Sequence, residues 1–259
     1  MGTARRVLIL GGTAEASALV RRLPLDSHQF HPILSFAERP RGPESPKCEV
    51  RIGGFGGTDG LVNYLRKEAI DSVIDATHPF ARHMRWNAAE ACAEANIPRL
   101  RLERAPWTQH AGDLWQLVPD IDQASAALAW SQRIFLTIGH RDVAAFGGYE
   151  NKWFLVRASA PPDLDLALPG ELLLAPGPVS EADEIELLTM WRIDTVVSRN
   201  GGGAAMNAKI TAARRLGIKV VMVERPPNPP GARVETVEQA LAWLDQSVSI
   251  GGMRTTSAS

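Results

Sequence analysis

Ser72-Val73-Ile74-Asp75-Ala76-Thr77-His78-Pro79-Phe80-Ala81 is the stretch on which the reading of the fold turns. Ser72 to Ile74 reads as a short buried strand, and Ala81–Ala95 carries the pattern of a helix. A strand that ends in a polar turn and feeds a helix exposes polar groups at the carboxyl edge of a sheet, where open α/β folds bind ligands. Pro79 fits the first helical position, where its missing N–H costs nothing. Thr77 and His78 then stand at the helix entrance beside unpaired backbone N–H groups, a place for an anion or a polar ligand edge. The same residues are equally consistent with Thr77 as a plain cap and His78 as a surface histidine.

Outward from this stretch, short apolar runs alternate with helical patterns. Arg6–Leu10, Pro32–Phe36, Glu49–Ile52, Ser72–Asp75 and Arg99–Leu102 are predicted strands, and Ala14–Leu23, Asp59–Lys67 and Ala81–Ala95 predicted helices. Such alternation predicts a parallel sheet with helices on both faces. Ala105–Asp113 breaks the rhythm with Pro106 and Gly112, the mark of a crossover between domains. Beyond it, strands are predicted at Ile134–Ile138, Phe154–Ala158, Leu172–Ala175, Thr195–Ser198 and Lys219–Glu224. Helices are predicted at Ile121–Ser131, Ser180–Trp191, Ala204–Leu216 and Val237–Asp245. The expectation is an α/β protein of two similar halves, 1–104 and 105–246, with mostly parallel sheets, a ligand cleft between them and a small polar, flexible tail at 247–259.

The 259 residues are 45% hydrophobic and 22% charged, with a formal net charge of −1, so nothing in the bulk electrostatics favours nucleic acid or a membrane surface. Cys48 and Cys92 are too few for a disulfide framework or a cysteine zinc site and are expected to be reduced thiols. No apolar run is long enough to span a bilayer, and Met1 leads through Arg5-Arg6 into Val7–Leu10 without a signal-peptide pattern. Arg6 stands where myristoylation wants Ser or Thr. A cytoplasmic protein is expected.

Val7-Leu8-Ile9-Leu10-Gly11-Gly12-Thr13-Ala14-Glu15-Ala16 is a strand, a tight turn and a helix start. Glycines let backbone approach a phosphate, and the helix N-terminus supplies donors and partial positive charge. The fit to G-x-G-x-x-G is incomplete, because Thr13 stands where the second glycine belongs. At the end of the next strand, Ser35 with Arg39 and Arg41 nearby suits a 2′-phosphate and hence NADPH, whereas Glu38 would serve NAD. Gly53-Gly54-Phe55-Gly56-Gly57 is either a close approach to a cofactor or a surface turn. In the second half, Thr137-Ile138-Gly139-His140-Arg141, Ser198-Arg199-Asn200-Gly201-Gly202-Gly203 and Glu224-Arg225-Pro226 repeat the strand-then-polar-turn pattern, with Lys209 on a following helix. Arg141, Arg199, Lys209 and Arg225, faced by His78, Arg82 and Arg104, suggest a substrate with several carboxylates or phosphates; the bland alternative is scattered solvated charge. A P-loop, an H-E-x-x-H zinc motif and a G-x-S-x-G elbow are all lacking. Neither Tyr64 nor Tyr149 has the lysine four residues on that a short-chain dehydrogenase carries.

With these residues in view, the chain resembles the precorrin-6A reductases, NADPH-dependent enzymes of cobalamin biosynthesis, from about Val7 to Asp245. The likeness is carried by Leu10–Ala16 and Ile74–Ala81, then by Arg101-Leu102-Glu103-Arg104-Ala105-Pro106-Trp107, Gly139-His140-Arg141, and Lys209-Ile210 through Val223-Glu224-Arg225-Pro226. Similar proteins often carry Lys and then Ser in the turn that is Ser198-Arg199-Asn200-Gly201 here, so the charge is kept and the serine is not. The resemblance implies two Rossmann-like domains with NADPH and a carboxylate-rich tetrapyrrole, precorrin-6A, between them, and hydride transfer giving precorrin-6B. It places the cofactor on Gly11, Gly12, Thr13, Ala14, Glu15, Ser35, Arg39, Gly53, Thr77 and Pro79. The substrate falls to His78, Arg82, Arg104, Gly139, His140, Arg141, Arg199, Asn200, Gly201, Lys209, Glu224 and Arg225, with His78 and Lys209 as candidate proton donors. No metal site is implied, a cobalt-free substrate is favoured over a cobalt-containing one, and a monomer with transient contact to neighbouring pathway enzymes is expected. An NADPH-dependent reductase of another polyanionic small molecule, a non-catalytic NADPH-binding sensor and a nucleotide-sugar transferase are the rival readings.

Overall fold

The computed structural model describes residues 4–24, 29–38, 46–158, 168–175, 177, 179–204 and 206–251. The chain divides into two units, Met1–Arg104 with Pro227–Ser259, and Ala105–Pro226.

The first unit is built on β1 (Arg5–Leu10), β2 (Phe30–Phe36), β3 (Glu49–Ile52), β4 (Ser72–Asp75) and β5 (Arg99–Leu102), interleaved with α1 (Ala14–Arg22), α2 (Gly57–Lys67) and α3 (Arg82–Glu94). Central strands of a parallel sheet are covered on both faces and read as continuous apolar runs, as Val7–Leu10 does. Their side chains alternate. Val7 and Ile9 join a core with Ala16, Leu19 and Val20 of α1, while Leu8 and Leu10 join one with Leu61 and Leu65 of α2 and Ala88 and Ala91 of α3. Thr13 caps α1, its Oγ1 accepting from Ala16 N–H at 3.3 Å, and Arg21 and Arg22 complement the dipole in the last turn.

The second unit holds β6 (Trp115–Val118), α4 (Ile121–Ala126), β7 (Arg133–Thr137), a 3-10 helix (His140–Phe146), β8 (Trp153–Ala158), β9 (Gly170–Leu174), α5 (Glu181–Met190), β10 (Thr195–Arg199), α6 (Ala208–Leu216) and β11 (Lys219–Val223). Phe135, Val196, Val220 and Met222 pack under Leu188 of α5 and Ile210, Ala212 and Ala213 of α6. Phe146 meets Phe154 edge-on, their ring centres 6.2 Å apart. The chain then returns to the first unit with β12 (Ala232–Val234) and α7 (Val237–Gly251).

The sheets run β12-β5-β4-β1-β2-β3 and β6-β11-β10-β7-β8-β9, all pairings parallel among the described residues. The first follows the doubly wound order 3-2-1-4-5-6, and the second has the same layout with its first strand, β6, in the sixth place. The sixth strand of the first sheet comes from the returning chain, and that of the second from the chain just after it leaves the first unit. Divided by contacts, the chain changes unit after Arg104 and again after Pro226, where the sequence reading had 105–246 as one half. After Pro226 the chain goes back, because β12 completes the edge beside β5 and Ala240 and Leu244 of α7 fill the α1-side core.

Further corrections are local. α7 runs to Gly251, so the tail expected from 247 begins with helix, and 252–259 lie outside the described residues. α3 begins at Arg82, with Ala81 at its N-cap. Pro79 is not its first residue but sits in a turn closed by Ala81 N–H to the His78 carbonyl at 2.8 Å, where a fixed φ is equally welcome. α4 stops at Ala126 and α6 starts only at Ala208. Among the described residues no helix is long and apolar enough to cross a membrane.

Candidate functional site

In the first unit the strand order reverses between β1 and β4, so the turns after these two strands form the lips of a crevice at the carboxyl edge. Gly11 closes down on β2. Its N–H donates to the Ser35 carbonyl at 2.8 Å, and a Cβ there would lie 2.9 Å from Leu34 Cδ1. Gly12 has φ +105°, and open space surrounds the position of a side chain. Thr13 joins the two lips, its Oγ1 donating to the Ala76 carbonyl at 2.7 Å. Glu15, in the first turn of α1, is paired with Arg104 at 2.7 Å. That pairing neutralises an acid which would otherwise oppose an anion at the helix entrance. The close-packed glycine, the uncovered turn and the capped helix N-terminus fit the pyrophosphate of a dinucleotide.

The second lip rests on a buried polar network. Asp75 Oδ1 accepts from Thr77 N–H at 3.1 Å, Thr77 Oγ1 at 2.7 Å and Arg101 Nη1 at 2.8 Å. Arg101 also donates to Thr77 Oγ1 at 3.0 Å and to Glu103 at 3.2 Å. Asn228, on the returning chain, accepts from Arg85 and donates to Glu103 at 2.8 Å. Burial and the neighbouring Arg101 pull the Arg85 guanidinium below its ordinary pKa. Thr77 thus faces the network and does not cap α3, whose N-cap has no side-chain partner. His78 Nδ1 accepts from Phe80 N–H at 3.2 Å, so a neutral His78 carries its proton on Nε2. Pro79 is buried beside it, and Arg82 is exposed at the first turn of α3.

At the end of β2, Ser35 is buried and pairs in register with Arg51 of β3. Arg51 Nη1 approaches Ser35 Oγ at 3.3 Å and also donates to the Gly53 carbonyl, while Nη2 donates to the Gly54 carbonyl at 2.8 Å. Arg39 and Arg41, expected here, lie outside the described residues. Glu38, two residues beyond the strand, is exposed.

In the second unit the corresponding switch point lies between β7 and β10. Gly139 (φ +90°) follows β7, and Arg199 Nη1 lies 3.6 Å from where its Cβ would be. Arg199 is tied to Asp142 of the 3-10 helix, and burial lowers its pKa. The main chain of His140 and Arg141 opens that helix; their side chains are not among the described ones. Asn200 clasps the departing chain, accepting from Trp107 N–H at 2.8 Å and donating to its carbonyl at 2.9 Å. Arg225 donates to the Asn200 and Gly201 carbonyls at 2.9 and 3.1 Å. Lys209 is buried on α6 with Nζ 5.0 Å from the Trp107 ring centre and 3.2 Å from the Met206 carbonyl. A pocket of about 420 Å³ is lined by Trp107, Trp115, Leu117, Asn200, Glu224 and Arg225 among others.

The family model described as precorrin-6x reductase CbiJ/CobK matches residues 6–245. The chain belongs to the precorrin-6x reductase family. It is similar to the precorrin-6A reductase of Rhodococcus erythropolis, with 45% identity over 241 residues that cover 92% of this chain and 97% of the relative. The precorrin-6A reductase of Rhodobacter capsulatus is 42% identical, with 92% and 95% covered. A solved structure, CobK precorrin-6A reductase, aligns with a TM-score of 0.86 at 41% identity, covering 94% of this chain and 97% of that one. The cobalt-precorrin-6A reductase of Priestia megaterium is more distant, 25% identical over 249 residues that cover 92% and 97%.

A precorrin-6x reductase is an oxidoreductase that needs a nicotinamide cofactor, and the first unit has the glycine turn and switch point to receive one. The structure brings Gly11, Gly12, Thr13, Ala14, Thr77 and Pro79 together around that crevice, with Ser35 at the neighbouring strand end. Gly53 instead turns its carbonyl onto Arg51. In the second unit, Asn200 and Arg225 turn out to hold the chain crossing as well as to edge the pocket. Asp75 and Arg101, which hold the turn at Thr77, and Arg51, which reaches Ser35, were not singled out from the sequence. The signal for Asp75 was an acid closing an apolar strand two residues before a threonine; Arg51 has none beyond its place near the end of β3.

Proposed function

We propose that this reductase transfers a hydride from NADPH to a conjugated carbon of precorrin-6A, giving precorrin-6B in cobalamin biosynthesis. Family membership at 41–45% identity to proteins named precorrin-6A reductase carries the reading. The cobalt-precorrin-6A reductases match at only 24–27%, which favours the cobalt-free macrocycle.

When bound, NADPH supplies the hydride. The first unit supplies placement. Gly11, Gly12 and Ala14 would hold the pyrophosphate, Ser35 would serve the adenosine ribose, and Thr77 and Pro79 would form the opposing lip. Ser35 at the strand end, with Glu38 three residues on and exposed, supports NADPH over NADH. Holding the reacting carbons together accounts for up to about 7–11 kcal/mol of barrier in the best intramolecular cases. His78, with its proton on Nε2, and Arg82 are what the first unit offers the substrate. In the second unit, a pocket lined by Trp107, Trp115 and Arg225, with Lys209 beside Trp107, suits a conjugated ring edge bearing carboxylates. The addition is completed by a proton delivered to the macrocycle, for which His78 Nε2 is the donor we favour.

The test is anaerobic turnover of purified protein with precorrin-6A, following NADPH absorbance and the tetrapyrrole spectrum together. Coupled changes are expected. NADPH binding without oxidation, with either the cobalt-free or the cobalt-containing substrate, would support a sensor instead.

A further inference from the structure

The run Gly53-Gly54-Phe55-Gly56-Gly57 builds a cradle around one side chain. Arg51 lies across from Ser35 in the parallel register of β3 and β2. Its guanidinium stands 3.7 Å from the centre of the Phe55 ring and 5.0 Å from that of Tyr64. The Gly53 and Gly54 carbonyls and Ser35 Oγ hold Nη1 and Nη2. Gly53 has φ +116°, a conformation that glycine adopts without strain and that goes with its carbonyl meeting the guanidinium. Gly60 lacks the Cβ that would strike the Phe55 carbonyl, so the loop seats closely on α2.

We propose that Arg51 reads the 2′-phosphate of NADPH and sets the preference for NADPH over NADH. The proposal rests on the NADPH reading above and deepens it. A guanidinium carries five N–H donors; three contacts engage Nη1 twice and Nη2 once, leaving one donor on Nε and one on Nη2. Those two atoms form the side of the fork that grips a phosphate with two parallel bonds. Nε is not among the buried atoms that lack a partner, and the Nη2 contact to Gly54 lies at the exposed side, so the edge reaches the surface. Among the described residues Arg51 has no carboxylate partner. Burial lowers its pKa, the sign of a cation held partly out of water and without a counter-ion. The position is also right: in a doubly wound sheet the ribose 2′-position is read at the end of the second strand, where Ser35 lies. A role confined to tying β3 to its loop would require the carbonyl contacts only. It would not require a planar cation stacked on an aromatic ring beside that strand end.

The experiment compares kcat/KM for NADPH and NADH in the wild type, Arg51→Leu and Arg51→Gln, with circular dichroism melts of each. Gln keeps an amide donor for the glycine carbonyls while removing the charge, which preserves the test if Leu does not fold. The ratio of NADPH to NADH efficiency is expected to fall on the order of 10- to 100-fold, the worth of one charged hydrogen-bonding group. Adenosine 2′,5′-bisphosphate should compete better than 5′-AMP against the wild type and no better against the variants. An unchanged ratio in a variant that melts like the wild type would overturn the role of Arg51 and leave the NADPH reading standing. A wild type that uses NADH as well as NADPH would overturn both.

Discussion

Asp75 closes the apolar run of β4 and is fully buried, yet every contact of its Oδ1 serves the turn that follows or the arginine behind it. Removing one partner of a buried ion pair strands the other, which costs about 3–5 kcal/mol. Asp75→Ala should lose stability on that scale in urea unfolding, and Asp75→Asn less, since an amide oxygen can still accept from Thr77. A melt of Asp75→Ala within about 1 kcal/mol of the wild type would remove the network from the account. Cys92 carries a pH prediction. Burial pushes its thiol from 9.0 up to about 12. Because the folded pKa is raised, the stabilisation is complete below the unfolded value and fades as pH climbs from about 9 toward 12. In a Cys48→Ser variant at pH 8, Cys92 should react with a disulfide reagent only as fast as the protein unfolds. At this scale the sequence pointed to Thr77, His78 and Pro79, but not to the partners that hold them. The side chain that turns Thr77 away from the helix, Arg101, is 24 residues distant, and no local pattern announces such a partner.

Elements were legible where burial forces a pattern. β1, β2, β4, β7, β10 and β11 announce themselves as apolar runs because both faces are covered, while β5 is legible from the alternation Arg99-Leu100-Arg101-Leu102. β6 and β12 do not: Trp115–Val118 is an edge strand with Leu117 half-exposed, and Ala232–Val234 has three residues. Helix starts were misplaced where the cap is unconventional, as at Ala81, which offers no side-chain acceptor. The glycine turn after β1 was legible as a phosphate approach, but the constraint on Gly11 is visible only in three dimensions. Gly11→Ala would put a methyl 2.9 Å from Leu34 Cδ1 and 3.2 Å from the Ser35 carbonyl. It should cost about 1–3 kcal/mol of stability by overpacking and weaken NADPH binding more than tenfold by moving β1 off β2. Calorimetry on the purified variant reads both effects. Tight binding with a normal melt would place the dinucleotide elsewhere.

For the whole molecule, the two-unit division was readable at Ala105–Asp113, where the helix–strand rhythm fails. The return at Pro227 was not, because a strand of three residues and one amphipathic helix look like the end of whatever precedes them. The consequence can be tested with fragments. Residues 105–226 contain all six strands of their sheet and should melt cooperatively alone. Residues 1–104 lack β12 and the α7 side chains Ala240 and Leu244, leaving the β5 edge and the α1-side core open. They should not fold without 227–251, and a cooperative melt of 1–104 alone would contradict the division. The central claim is chemical, that this chain moves a hydride from NADPH onto the precorrin macrocycle. It is tested most directly by anaerobic turnover with NADPH deuterated at the transferring position of C4, followed by mass spectrometry of the tetrapyrrole. The account predicts a product carrying one deuterium on carbon that does not wash out in ordinary water. A reduced product without deuterium, from NADPH labelled on either face, would contradict it.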